Sequence, residues 1–230
     1  MGVRSLLAMA LIDGAFICQH RFDAAAALRH IARERITSLY LVPTLYHDLV
    51  GHPDFAACDT SSAARCRKPV IAASRGYCFG VGFELALACD FRLVSETCLY
   101  SLPEQRLGQI PGSGGAARLQ KMVGITRAKD IVMRSRRIPG RQAYEWGVAT
   151  DCVADDELEA ASDGLAEELR GFPPLAQRSA KKLINDIEDA GLSLAIELEG
   201  QCYGRLRSSD DFREGVEAFH QKRRPEFRGK

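Results

Sequence analysis

Residues 68–96 read KPVIAASRGYCFGVGFELALACDFRLVSE. KPVIAASRG is an apolar run closed by a glycine and reads as a strand. Cys78 to Gly82 read as a turn, and Glu84 opens the helical run ELALACD. FRLVSE reads as a second short strand. A strand, a glycine turn, a helix and another strand thus follow one another without a linker.

Working outward, CLYSL reads as a further strand, closed by Pro103 and Glu104. Residues 102–124 read LPEQRLGQIPGSGGAARLQKMVG. Its glycine turn feeds a helix beginning near Gly115, and ITRAKDIVM continues as another helix. Two glutamates, Glu84 and Glu104, therefore sit in glycine-marked turns. Paired carboxylates of this kind suit acid/base work on a bound carbonyl compound. The first N–H groups of a helix have no intrahelical partner and can donate to an oxyanion. Val81 lies between Gly80 and Gly82 and keeps its N–H, although a β-branched residue resists positive φ. The same residues also have a structural reading. Gly80-x-Gly82 is what a tight helix–strand turn needs, and a glutamate is favourable in a first turn. The third glycine of a dinucleotide fingerprint is replaced by Leu85.

The remaining composition narrows the function classes. Lys plus Arg number 31 against 30 Asp plus Glu, a net charge of +1 that argues against nucleic-acid binding by bulk electrostatics. Arginines cluster at Arg134, Arg136, Arg137 and Arg141, and again at Arg223, Arg224 and Arg228. They read either as solvated faces or as a dock for the phosphates of a nucleotide-bearing ligand. The eight cysteines form no C-x-x-C pair and no zinc spacing, so no metal is expected. Cys78 and Cys89 read as small buried hydrophobes, and a reduced, cytoplasmic protein is the expectation. MGVRSLLAMALIDG reads as a strand or helix start, not a signal peptide. No run approaches the ~20 apolar residues of a membrane span.

The two ends differ. Residues 1–56 carry an amphipathic helix, about Phe22 to Ile36, followed by the strand SLYLV. Residues 57–67 are small, polar and without period, a junction candidate. The last third reads as four helices. Leu158, Ala161, Leu165 and Leu169 share one face of the first, and Gly171 ends it. A proline starts the second. LSLAIELEGQCYGRL and DDFREGVEAFHQKRR follow. Four apolar stripes exceed what one small core needs, which favours packing against another subunit.

From about Lys68 to Lys230 the chain resembles the enoyl-CoA hydratase/isomerase (crotonase) superfamily. The resemblance is carried by residues 68–96 and 102–124, by A-x-x-WG at Ala143–Gly147, and by DDFREGVEAFHQKRRPEF at 210–227. It implies an α/β fold, a ββα spiral, with a C-terminal helical oligomerisation region. It also implies an acyl-CoA thioester substrate and no cofactor beyond that coenzyme A. The expected assembly is a homo-oligomer, a trimer or dimer of trimers, with neither nucleic-acid nor membrane partners. Glu84 matches the family's base, which activates water for attack at Cβ, and Glu104 the acid that protonates Cα. Val81 matches a backbone donor to the enolate-like oxygen. Gly112 matches a glycine whose N–H positions the water. Phe219 and Lys222 match residues at the adenine end of coenzyme A. Both glutamates together favour a hydratase, with isomerase, hydrolase and hydratase–lyase as relatives in chemistry.

The family's N-terminal third, with its F-x-A-G-A-D-like segment and second oxyanion donor, is not found in residues 1–67, so the spiral is expected to be incomplete. Residues 11–62 resemble instead a fragment of an adenylate-forming acyl-CoA ligase, through an -RFD-x-x-x-AL-x-x-I- helix and an IT-x-LYLVPT strand. That family's phosphate loop is absent, so ligase activity is not expected. The expected divisions are 1–67, an α/β core at 68–153 and a helical region at 154–230. A non-catalytic remnant that binds acyl-CoA or only oligomerises is the competing expectation.

Overall fold

The computed structural model describes residues 67–230. The helix, strand and ligase-like segment expected before Arg67 lie outside the described residues.

Strand β1 (Ile71–Ser74) leads through Gly76 into β2 (Tyr77–Phe79), and α1 (Val81–Ala88) follows at once. Strands β3 (Phe91–Ser95) and β4 (Leu99–Ser101) repeat the pattern, and a 3-10 turn at Pro103–Leu107 precedes α2 (Gly115–Met133). Then come β5 (Ile138–Pro139), α3 (Gly140–Glu145) and β6 (Asp151–Val153). The first strand of each turn joins one parallel sheet, ordered β1-β3-β6. The second strands join another, ordered β2-β4-β5, with β5 antiparallel. Successive ββα turns thus feed two sheets in alternation, which is the expected crotonase spiral.

Helix α1 is apolar nearly all round, as a helix buried between layers must be. Phe83, Ala86, Leu87 and Ala88 are buried, and so is Glu84. Phe83 stacks on Tyr100 of β4 at 4.2 Å between ring centroids. The Tyr100 hydroxyl donates to Ser74 Oγ at 2.9 Å, so the ring is buried without an orphaned polar tip. Leu102, Leu119, Ile131, Ile138 and Val148 complete this core. Each such side chain contributes about 1.5–3 kcal/mol of burial.

The helix starts three residues before Glu84, earlier than expected. Gly80 alone takes the positive φ, 56°, while Gly82 lies inside α1. Val81 therefore never has to adopt the conformation that its branched Cβ resists. The expected pair of helices after Gly114 is present: the helical stretch Gly115–Met133, α2, is two helices joined across a kink at Gly124, whose φ is 76° and ψ 165°. Cys78 and Cys89 are half-buried rather than buried, and burial pushes their thiols up to about 12 and about 11.

Helices α4 (Leu158–Arg170), α5 (Pro174–Asp186), α6 (Leu192–Arg207) and α7 (Asp210–Gln221) form the C-terminal region. Gly171 caps α4, and Pro174 opens α5 at its first position. Ser209 Oγ accepts the Phe212 N–H at 3.1 Å and caps α7. The Asp90 carboxylate ties this region to the sheets, accepting from Lys181 of α5 at 2.6 Å and from the Val70 N–H at 2.7 Å. No helix among the described residues is long and apolar enough to cross a membrane.

Candidate active site

Glu84 is the fourth residue of α1, and its side chain points toward the start of α2. Its Oε1 accepts the N–H groups of Ser113 at 2.9 Å and Gly115 at 3.0 Å. The carboxylate therefore caps the N-terminal end of α2, where orphan N–H groups and the helix dipole favour it. Gly115 has no Cβ for a reason: one would stand 2.7 Å from Glu84 Cγ.

Glu104 reaches the same place from the other side. It lies in the 3-10 turn after β4, directly behind Pro103. Its Oε1 is 2.8 Å from where a Cβ on Gly80 would be. The Gly80 N–H donates to Ser101 O at 2.9 Å, so the turn before α1 is tied to the strand that delivers Glu104. Glu104 Oε2 is buried and has no hydrogen-bond partner among the described residues. Burial raises the Glu104 carboxyl above the usual range, and the charge of Glu84 adds to the rise. A partnerless buried carboxyl oxygen, on a side chain that lies beside the turn before a helix N-terminus, is ready to exchange a proton with something placed there.

Val81 is the first residue of α1, and its N–H has no acceptor among the described residues. Gly112 lies one residue before the Ser113 that binds Glu84, with open space around its Cα. Glu84, Glu104, Val81 and Gly112 thus gather around the junction of Gly80, α1 and the α2 entrance. Phe219 and Lys222 do not join them. Phe219 is 81% exposed on α7, and Lys222 is its left-handed C-cap.

The arginine cluster is largely paired within the chain. Arg134 and Arg136 share Asp130, and Arg127 and Arg136 flank Trp146 at 5.0 Å each. Arg223 binds both oxygens of Glu214, pulling that carboxyl down to about 2. Sequence reasoning missed Gly115 and the Ser113 N–H as the seat of Glu84. The Gly114–Gly115 pair marks a turn in the sequence, but only the structure shows that Gly114 takes the positive φ and that Gly115 makes room for Glu84.

A two-sheet ββα spiral whose α1 and β4 turns bring two carboxyls together defines a class, the crotonase fold. The family described as enoyl-CoA hydratase/isomerase matches residues 57–230, and the chain belongs to that family. The match takes in the whole stretch 57–67 read as a junction. Among curated relatives, the chain is 36% identical over 161 residues to probable enoyl-CoA hydratase 2, mitochondrial, of Arabidopsis thaliana, covering 70% of this chain and 54% of that one. It is 36% identical over 163 residues to 2,3-dehydroadipyl-CoA hydratase of Escherichia coli, covering 71% and 64%. A crystal structure of enoyl-CoA hydratase from Bacillus anthracis superimposes with a TM-score of 0.75 at 33% identity, over 83% of this chain and 72% of that one. The chain spans between about half and two-thirds of the curated relatives it matches. Enoyl-CoA hydratases of this family need no cofactor beyond the coenzyme A of the substrate.

Proposed function

We propose that the protein adds water to the double bond of a 2-enoyl-CoA thioester, with Glu84 as base and Glu104 as acid. The observation that carries this reading is the approach of two carboxyls to neighbouring turns, Glu84 at the entrance of α2 and Glu104 beside Gly80 before α1, the second with a buried, unpartnered oxygen. Glu84 takes a proton from water as the oxygen attacks Cβ. Electrons move from the double bond to the thioester oxygen, which the Val81 N–H stabilises. Glu104, raised by burial, gives its proton to Cα as the enolate collapses. Water has then been added, and one proton has passed between the glutamates, to be restored before the next turnover. The Gly112 N–H would help hold the water. Phe219 and Lys222 would meet the adenine end of coenzyme A, and the exposed apolar faces of the C-terminal helices would be covered in a homo-oligomer, trimer or dimer of trimers. A cytoplasmic location and the divisions 1–67, 68–153 and 154–230 belong to the same reading.

A second reading is favoured by one observation. Residues 1–67 contain no F-x-A-G-A-D segment, the one that matches the second oxyanion donor. Losing such a donor costs about 10²–10³ in rate, which would leave a protein that binds acyl-CoA or oligomerises without turnover. The test is loss of the conjugated thioester absorbance across a panel of 2-enoyl-CoAs, with Glu104→Gln alongside. Turnover in the parent that disappears in the variant is the expected result. Folded parent protein with no turnover on any member supports the second reading, and a product other than the 3-hydroxyacyl thioester assigns a sister reaction.

A further inference from the structure

Arg92, the second residue of β3, is a buried cation whose side chain binds no carboxylate among the described residues. It is 8% exposed. Its backbone is held within the β1-β3-β6 sheet: its N–H donates to Thr150 Oγ1 at 3.0 Å, and its carbonyl accepts the Thr150 N–H at 2.7 Å. Its side chain donates only to backbone carbonyls. Nε reaches Val148 O at 2.6 Å, while Nη1 reaches Ala86 O at 3.3 Å and also Cys89 O. Ala86 lies in the last turn of α1 and Cys89 is its C-cap. No carboxylate lies within ion-pair distance of Arg92 among the described residues, and neighbouring Asp90 is engaged by Lys181. Burial lowers the guanidinium from its ordinary value, but arginine stays charged.

The last carbonyls of a helix are orphans and form the negative end of its dipole. A fixed guanidinium there satisfies them and offsets that end. The opposite end of α1, about 12 Å away for eight residues, carries the Val81 N–H and Glu84. We propose that Arg92 is a positioning residue for the site: it locks α1 against β3 and the Val148 segment, and its charge strengthens the field that α1 presents at the Val81 N–H. A purely structural clamp would set stability. This one also sets how strongly α1 polarises a carbonyl placed at its N-terminus. The inference rests on the hydratase reading for its substrate, but the polarisation can be read without turnover.

The probe is 4-dimethylaminocinnamoyl-CoA, whose absorption band moves to the red when its carbonyl oxygen accepts hydrogen bonds. Parent, Arg92→Lys and Arg92→Met proteins are compared for band position and for steady-state kinetics, at a temperature where each is folded. Arg92→Met is expected to bind the probe with a smaller red shift than the parent and to lose about 5- to 30-fold in kcat, with KM within about twofold. Arg92→Lys keeps the charge but not the fork, so it is expected to retain most of the shift with an intermediate kcat. A folded Met variant with the parent's shift and kcat would overturn the inference. If the Met variant does not fold, the Lys variant decides, and parental kcat in it would be the overturning result. A parent that shifts the probe but turns nothing over defeats the hydratase reading alone, and the inference then stands or falls on the shift. A parent that leaves the bound probe unshifted defeats both.

Discussion

A buried carboxyl oxygen without a partner costs free energy unless a proton or ligand satisfies it. Glu104 Oε2 is such an atom. Its carboxyl is raised by burial first and by Glu84 second. A carboxyl raised in the folded state favours unfolding once pH rises past its unfolded value, and the penalty is complete above its folded value. Glu104→Gln removes that penalty and keeps the shape. The variant is therefore expected to melt higher than the parent at pH 7–8, by on the order of a few degrees. The gap should close as pH falls toward 4, where the parent carries the proton itself. Equal melting temperatures across that range would show that Glu104 is comfortable where it sits. The same raised carboxyl predicts a basic limb in the pH dependence of kcat, because Glu104 must hold a proton to give one. That limb should be absent from the residual rate of Glu104→Gln.

At the scale of elements, the glycines separate by what surrounds them. Gly115 has ordinary helical backbone, so helix propensity alone would welcome alanine by up to about 1 kcal/mol. Sterics oppose it, since the new Cβ would meet Glu84 Cγ at 2.7 Å and Oε1 at 2.8 Å. A carboxylate held by two N–H bonds cannot move aside without losing them. Gly115→Ala is expected to cost about 1–3 kcal/mol in chemical denaturation and to depress kcat along with stability. Gly164 in α4 is the matched control: a Cβ there meets nothing within 4 Å. Gly164→Ala should stabilise by about 0.5–1 kcal/mol and leave turnover untouched. This contrast also marks what could be read from sequence. The strands around 71–74, 91–95 and 99–101, the start of α2 at Gly115 and the four closing helices announce themselves by apolar runs, prolines and glycines. The start of α1 lies three residues before Glu84, where its apolar run predicts it, because two glycines flank Val81 and nothing local says which takes the positive φ. The seat of Glu84 on Ser113 and Gly115, and the grip of Arg92 on Val148 O across 56 residues, obey no short spacing. Such contacts exist only after the two sheets have brought distant turns together.

For the whole molecule the open question is what covers the outer face of the C-terminal helices. Leu192, Ile196 and Tyr203 share one stripe of α6, at 77%, 59% and 60% exposure. Phe219 of α7 is more exposed still. Leaving large apolar side chains in water forfeits about 25 cal/mol per Å² of burial for each, and a contiguous run of them is the kind of surface that another subunit covers. In the homo-oligomer reading the stripe is interface, and the expected mass by light scattering is three or six times 25.3 kDa. Because Ile196 and Tyr203 are exposed in the single chain, replacing both by glutamate removes little intrachain packing. The double variant Ile196→Glu, Tyr203→Glu is therefore expected to keep the parent's far-ultraviolet circular dichroism while its mass falls toward that of one chain. Its turnover should fall with it if Phe219 and Lys222 reach the substrate only within the assembly. A variant that dissociates yet keeps full activity would place the adenine site elsewhere. A parent of 25.3 kDa in solution would remove the oligomer and require the stripe to be covered from another source.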